Sequence, residues 1–149
     1  RDATHETKDV ACTLNLVFDI RDNELNLCVH MRSNDIFFGF SYDVPFFCFL
    51  QQYVYLKLKE TYPELLLGKY THFVNSLHVY RRNYEVAVKC MNGCLSNRKI
   101  PAVTEKTLDE ILLFLEYEQA KRTMGVDLDT GITDPYLKYM KEGLEGENK

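Results

Sequence analysis

The 149 residues carry 46% hydrophobic side chains and a net charge of −4, which suits one ordinary domain with a real core and is too short for two comfortable ones. That negative balance leaves no excess of cations to hold a polyanion through phosphate contacts, so nucleic acid is not an expected partner. No apolar run approaches the ~20 residues of a membrane span, and the polar opening Arg1-Asp2-Ala3-Thr4-His5-Glu6 lacks a signal-peptide apolar region, so the expectation is a soluble, cytoplasmic protein with no membrane partner.

Val10 to Ile20 and Glu24 to Arg32 are β-rich runs flanking Arg21-Asp22-Asn23, the composition of a tight hairpin turn. Leu14, Leu16, Phe18 and Ile20 share one face of the first run, and Leu25, Leu27, Val29 and Met31 one face of the second. A two-residue turn at Asp22-Asn23 then pairs 20 with 25, 18 with 27, 16 with 29 and 14 with 31, and extends to place Cys12 opposite Ser33. Arg32 is the immediate neighbour, on the other face unless a β-bulge re-aims it.

Asp43-Val44-Pro45 reads as the start of a buried helix over Phe46 to Lys59, with Asp43 as N-cap and the proline in the first turn. A loop around Gly68 leads to a strand over Tyr70 to Tyr80, and a short helix runs from about Arg81 to Lys89. Thr107 forms a capping box with Glu110 ahead of Ile111-Leu112-Leu113-Phe114-Leu115, and Gly125 stops that helix. Asp134-Pro135 opens a last short helix, Tyr136 to Met140, before a charged tail, Lys141 to Lys149. The five cysteines, at 12, 28, 48, 90 and 94, are an odd, irregularly spaced set and read as reduced thiols. Cys90 and Cys94 have no second Cys or His pair at zinc-ligand spacing, so no metal site is expected. Asp127-Leu128-Asp129-Thr130-Gly131 is a turn and not a calcium loop, because Lys138 stands where a bidentate Glu belongs.

Cys12 and Arg32 lie twenty positions apart, followed in order by Ser33, Asp35, Gly39 and Asp43. Together with Ala11-Cys12-Thr13, Ile20-Arg21-Asp22, Met31-Arg32-Ser33-Asn34-Asp35, Phe38-Gly39-Phe40 and Ser76-Leu77-His78-Val79-Tyr80, this order resembles the thymidylate synthase family, in its phage deoxycytidylate hydroxymethylase branch, over roughly residues 9 to 85. The resemblance implies an α+β fold, a thymidylate-synthase-like mixed sheet with packed helices, of which this chain is the C-terminal portion. Residues 1–103 would form the nucleotide-binding core and 104–149 a helical extension of the same domain.

The resemblance also implies roles. Cys12 is the nucleophile that adds as thiolate to C6 of a pyrimidine, after which C5 attacks the one-carbon unit of 5,10-methylenetetrahydrofolate, the co-substrate. A neighbouring guanidinium, Arg32, favours the thiolate, and Arg32 with Ser33 holds the nucleotide phosphate. Asp43 stands where thymidylate synthases place Asn; a carboxylate accepts from the exocyclic amine of cytosine, so Asp43 argues for a cytosine nucleotide. His78 and Tyr80, two apart and so on one strand face, hydrogen-bond the sugar 3′-hydroxyl. Asp35 accepts from the pterin, and Gly39 permits close backbone approach on the folate side.

The family carries an arginine pair and an essential Glu ahead of its nucleophile, whereas eleven residues precede Cys12 here and neither Arg1 nor Glu6 fits those motifs, as in a fragment, one of two pieces or a degenerate homologue. The expected activity is that of a folate-dependent hydroxymethyltransferase converting dCMP to 5-hydroxymethyl-dCMP, working as a homodimer. The alternatives are methylation of dUMP, a non-catalytic pyrimidine-nucleotide-binding homologue, and a structural subunit assembled through the 107–122 helix.

Overall fold

The computed structural model describes residues 10–93 and 99–146, with side chains described through residue 142. The chain divides into two compact units, Arg1–Leu95 and Ser96–Lys149. Arg1 to Glu6, Cys94 of the Cys90/Cys94 pair and the end of the charged tail, 147–149, lie outside the described residues.

In the first unit, Thr13–Arg21 (β1) and Glu24–Met31 (β2) form the expected antiparallel hairpin. Asp22 and Asn23 both adopt positive φ, 51° and 62°, the backbone of a two-residue turn whose twist matches its strands. Ile20 pairs with Leu25, Phe18 with Leu27 and Leu16 with Val29. The expected pairing of 14 with 31 is corrected: the register shifts between Thr13 and Asn15, so that Thr13 faces Met31 and Leu14 bulges. The bulge brings Arg32, and not Ser33, to Cys12, with Arg32 N donating to Cys12 O at 2.9 Å.

Asn34–Asp35 (β3) follows, and then α1 over Gly39–Lys59. The helix starts well before Phe46, so Asp43 lies inside it and is not its N-cap. Asp35 explains the early start, since its two carboxylate oxygens accept from the N–H groups of Phe37 and Phe38, each at 3.2 Å. Ser41 Oγ reinforces that turn by donating to Phe37 O at 2.7 Å. Pro45 sits within the helix, where its missing N–H costs one bond near the helix start.

Leu66–Val74 (β4) returns parallel to β2, giving a three-stranded mixed sheet in the order β1-β2-β4. This strand begins at Leu66, so Gly68 is not a loop residue. It lies at a register shift opposite Leu25 to Leu27, where a Cβ would stand 2.8 Å from Leu25 O. The buried Gln51 side chain satisfies the carbonyls there, donating to Leu25 O at 2.9 Å and Lys69 O at 3.1 Å. The core lies between sheet and helix: Leu27, Val29 and Met31 against Phe47, flanked by Leu50, Tyr70 and Val74. Each fully buried side chain of this kind contributes about 1.5–3 kcal/mol.

Leu77–His78 (β5) pairs parallel with β3, a 3-10 turn covers Arg81–Asn83 and α2 covers Tyr84–Met91. The expected long strand over 70–80 is therefore interrupted after Val74, where the chain leaves one sheet and joins the other.

The second unit contains α3, Glu105–Met124, and α4, Pro135–Gly146. The α3 N-cap is Thr104 and not Thr107, which is the buried third residue of a reciprocal capping box with Thr104. Gly125 stops α3 as expected, in the left-handed conformation at φ 67°. Glu110 caps the next helix instead of its own, accepting from Thr133 N at 2.7 Å and Asp134 N at 2.8 Å. Asp134, fully buried, accepts from Leu137 N at 2.9 Å and from Thr107 Oγ1 at 2.9 Å. With that cap α4 runs past Met140, the expected end. Among the described residues no helix is long and apolar enough to cross a membrane.

Candidate functional site

The stretch Met31 to Asp35 is fastened on both sides. Toward the hairpin, Arg32 N bonds Cys12 O, while the Arg32 side chain donates from Nε to Ala11 O at 3.0 Å and from Nη2 to Val10 O at 2.8 Å. The guanidinium is thus held over the two residues that precede Cys12. Among the described residues its other N–H groups have no partner. Cys12 is an exposed free thiol just ahead of β1, reachable by a ligand.

Toward the second sheet, Asn34 N donates to Ser76 O at 2.9 Å and Ile36 N to His78 O at 2.8 Å, setting Asp35 beside His78. The His78 and Tyr80 rings meet edge to face at 4.8 Å, and the Arg82 guanidinium covers the other ring at 5.1 Å. They are neighbours as expected, although by a different route: β5 ends at His78 and Tyr80 leads into the 3-10 turn. Ser33 lies half-buried in the connection between β2 and β3.

Gly39 and Asp43 occupy the first turns of α1. A Cβ on Gly39 would overlap Asn34 Oδ1 and touch Asp43 Oδ2 at 3.6 Å, so the glycine lets the helix start close upon Asn34. Every candidate residue of the sequence therefore falls on one connected region: Cys12, Arg32 and Ser33 along the hairpin end, Asp35, His78 and Tyr80 along β3-β5, and Gly39 and Asp43 on the helix start.

Three further residues adjoin this region: Asn34, to which the motif reading gives no role, and Tyr70 and His72, which lie outside the motifs. Asn34, only 4% exposed, has its amide 3.0 Å from His72 Nε2, and Tyr70 Oη is 2.7 Å from His72 Nδ1. Phe40 and Phe47 enclose the imidazole, at 5.4 and 6.4 Å between ring centres. Burial lowers the His72 pKa, with the Asp43 charge opposing; burial first, and then the Cys48 and Asp43 charges, push the Tyr70 hydroxyl upward. Tyr70 and His72 share an apolar strand face with Val74, and two polar rings on such a face are the signal that sequence alone offers.

The exposed Cys12 thiol, a guanidinium bound to the two carbonyls that precede it, the Asp43 carboxylate in the first turns of α1 and the His78–Tyr80 ring pair are thus tied together through one short β connection. A family model described as thymidylate synthase matches residues 2–119, and the chain belongs to that family. It is 37% identical over 82 residues to deoxycytidylate 5-hydroxymethyltransferase of Enterobacteria phage T4, covering 51% of this chain and 32% of the relative. To deoxyuridylate hydroxymethyltransferase of Bacillus phage SP01 it is 36% identical over 81 residues, covering 54% and 20%. To thymidylate synthase of Symbiobacterium thermophilum it is 33% identical over 64 residues, covering 43% and 21%. The chain thus spans a third or less of the length of these relatives.

Folate is the co-substrate that membership of the family implies. Asp35 fits a pterin donor: each of its oxygens accepts one backbone N–H, and a carboxylate oxygen can accept more than one. Gly39 has a reason within the chain, the closeness of Asn34, whatever binds nearby.

Proposed function

We propose that this chain carries the nucleotide-facing part of a one-carbon transferase that hydroxymethylates C5 of a deoxycytidine monophosphate. The observation that carries the reading is the fastening of Met31 to Asp35, which joins Cys12 on one side to His78 on the other and packs Asn34 against the helix turn bearing Asp43.

In this reading Cys12 Sγ adds to C6 of the pyrimidine, C5 takes up the one-carbon unit and gives up its proton, water supplies the hydroxyl, and Cys12 departs as thiolate to restore the C5–C6 double bond. Arg32 offers to the 5′-phosphate the N–H groups that have no partner among the described residues, with Ser33 as a second donor. Asp43 accepts from the cytosine exocyclic amine, and His78 and Tyr80 hold the sugar 3′-hydroxyl. Methylenetetrahydrofolate, when bound, supplies the one-carbon unit, and Asp35 is the residue that would receive its pterin. Residues 1–103 form the nucleotide-binding core, and 104–149 extend it. A second copy of the chain is the expected partner.

The test incubates the protein with methylenetetrahydrofolate and C5-tritiated dCMP, CMP or dUMP, follows tritium release, and identifies the product by mass. Release from dCMP with a hydroxymethylated product is expected, and Cys12→Ala should reduce it to background. Release from dUMP alone would overturn the assignment of Asp43. Calorimetric binding of a pyrimidine monophosphate with no turnover would leave a binding module in place of an enzyme.

A further inference from the structure

Beneath the candidate base-reading carboxylate lies a chain of polar groups enclosed by aromatic rings: Tyr70 Oη, His72 and the Asn34 amide. With Nδ2 against His72, the amide turns Oδ1 into the space over Gly39, where that buried atom has no hydrogen-bond partner among the described residues. Asp43 Oδ2 borders the same space, 3.6 Å from the position of a Gly39 Cβ. The buried Oδ1 and the half-buried Asp43 carboxylate are then two acceptors facing the same glycine, and the buried one is left without a proton, which is the costly arrangement for a buried polar group.

The oxygen and nitrogen of an amide differ only in what they bond, and the network decides between them. A half-turn of the Asn34 amide resolves each mismatch at once. Oδ1 then accepts from His72 Nε2–H, His72 Nδ1 accepts from the Tyr70 hydroxyl, and Nδ2 aims an N–H into the space shared with Asp43. Tyr70 suits the donor end, being held protonated by burial and the nearby negative charge. His72 suits the middle as a neutral ring, which burial favours.

We infer that Tyr70, His72 and Asn34 form a directional hydrogen-bond chain that positions Asp43, so that one carboxylate oxygen takes the Asn34 N–H and the other is left to accept from a cytosine amine. The inference rests on the reading of Asp43 as the base-recognising residue. Asn34, His72 and Tyr70 are positioning residues, since each acts through the next. The chemical consequence is selectivity: an oriented carboxylate acceptor favours a base that presents a donor at C4 and disfavours uracil, which presents an acceptor there.

The test that needs no nucleotide is the tautomer of His72, read from imidazole 15N shifts of the wild-type protein near neutral pH. The proposal requires Nε2–H with an unprotonated Nδ1; an Nδ1–H ring, or one protonated at both nitrogens, overturns it. The functional arm measures the preference for dCMP over dUMP by competitive binding. His72→Phe, which removes the donor, should lower that preference about tenfold, and His72→Gln, whose amide can donate again, should restore part of it. If His72→Phe keeps the preference while Asp43→Asn abolishes it, the positioning chain is wrong and the base reading stands. If Asp43→Asn leaves the preference unchanged, the base reading itself falls, and the tautomer still decides the polarity of the chain.

Discussion

In the proposed function, Asp43 is the residue on which base preference turns. A carboxylate can only accept, whereas Asn presents both an acceptor and a donor. Asp43→Asn should therefore shift preference from dCMP toward dUMP by roughly tenfold to a hundredfold, measured as the ratio of dissociation constants. Gly39 tests the packing around it. Its Cβ would enter the space held by Asn34 Oδ1, so Gly39→Ala should cost about 1–3 kcal/mol in urea unfolding, as overpacking usually does. The candidate residues were proposed through the order of motifs that resembles the thymidylate synthase family. Asn34 and His72 were not, because their importance depends on a contact between residues 38 positions apart.

Elements were legible where the pattern is local. The hairpin register followed from alternating apolar residues and a turn that admits positive φ at Asp22 and Asn23. Their boundaries failed where a cap came from elsewhere: Asp35 starts α1 several residues before the Asp43-Pro45 signal, and Thr104, not Thr107, starts α3. Glu110 is the clearest case, because it reads as part of its own helix start and in fact receives the N–H groups ahead of α4. Bonds from the Thr133 hydroxyl and then Asp134 N lower its pKa from 4.5 to about 2. A carboxylate whose folded pKa is depressed adds stability that is complete above its unfolded value and is lost as pH falls toward the folded one. Helical signal by circular dichroism, followed with temperature, should therefore weaken between pH 4.5 and about 2. In Glu110→Gln that acid sensitivity should shrink, and stability near neutrality should already be lower. An unchanged acid profile in the variant would remove Glu110 from the account.

For the molecule as a whole, the sheet of the first unit presents a question that a single chain leaves open. Helix α1 packs on the face carrying Leu27, Val29 and Met31. On the reverse face Val17 pairs with Cys28 and Phe73 with His30, and Val17 and Phe73 are 44% and 55% exposed. Sequence could not have shown this, because alternation along β4 assigns Phe73 to a face without saying what covers it. An antiparallel edge can leave one sheet face to water, but water favours polar side chains there, and the hairpin-turn end of the face obeys with Asp19, Arg21, Glu24 and Asn26. The opposite end, nearest Cys12, is the apolar one. Association of two copies through that end would bury Val17 and Phe73 and set two candidate sites close to one interface. Sedimentation velocity should then report a dimer for the unaltered protein and a monomer for the Val17→Asp, Phe73→Asp double variant, with far-UV circular dichroism unchanged. A double variant that remains dimeric would place the interface on another surface.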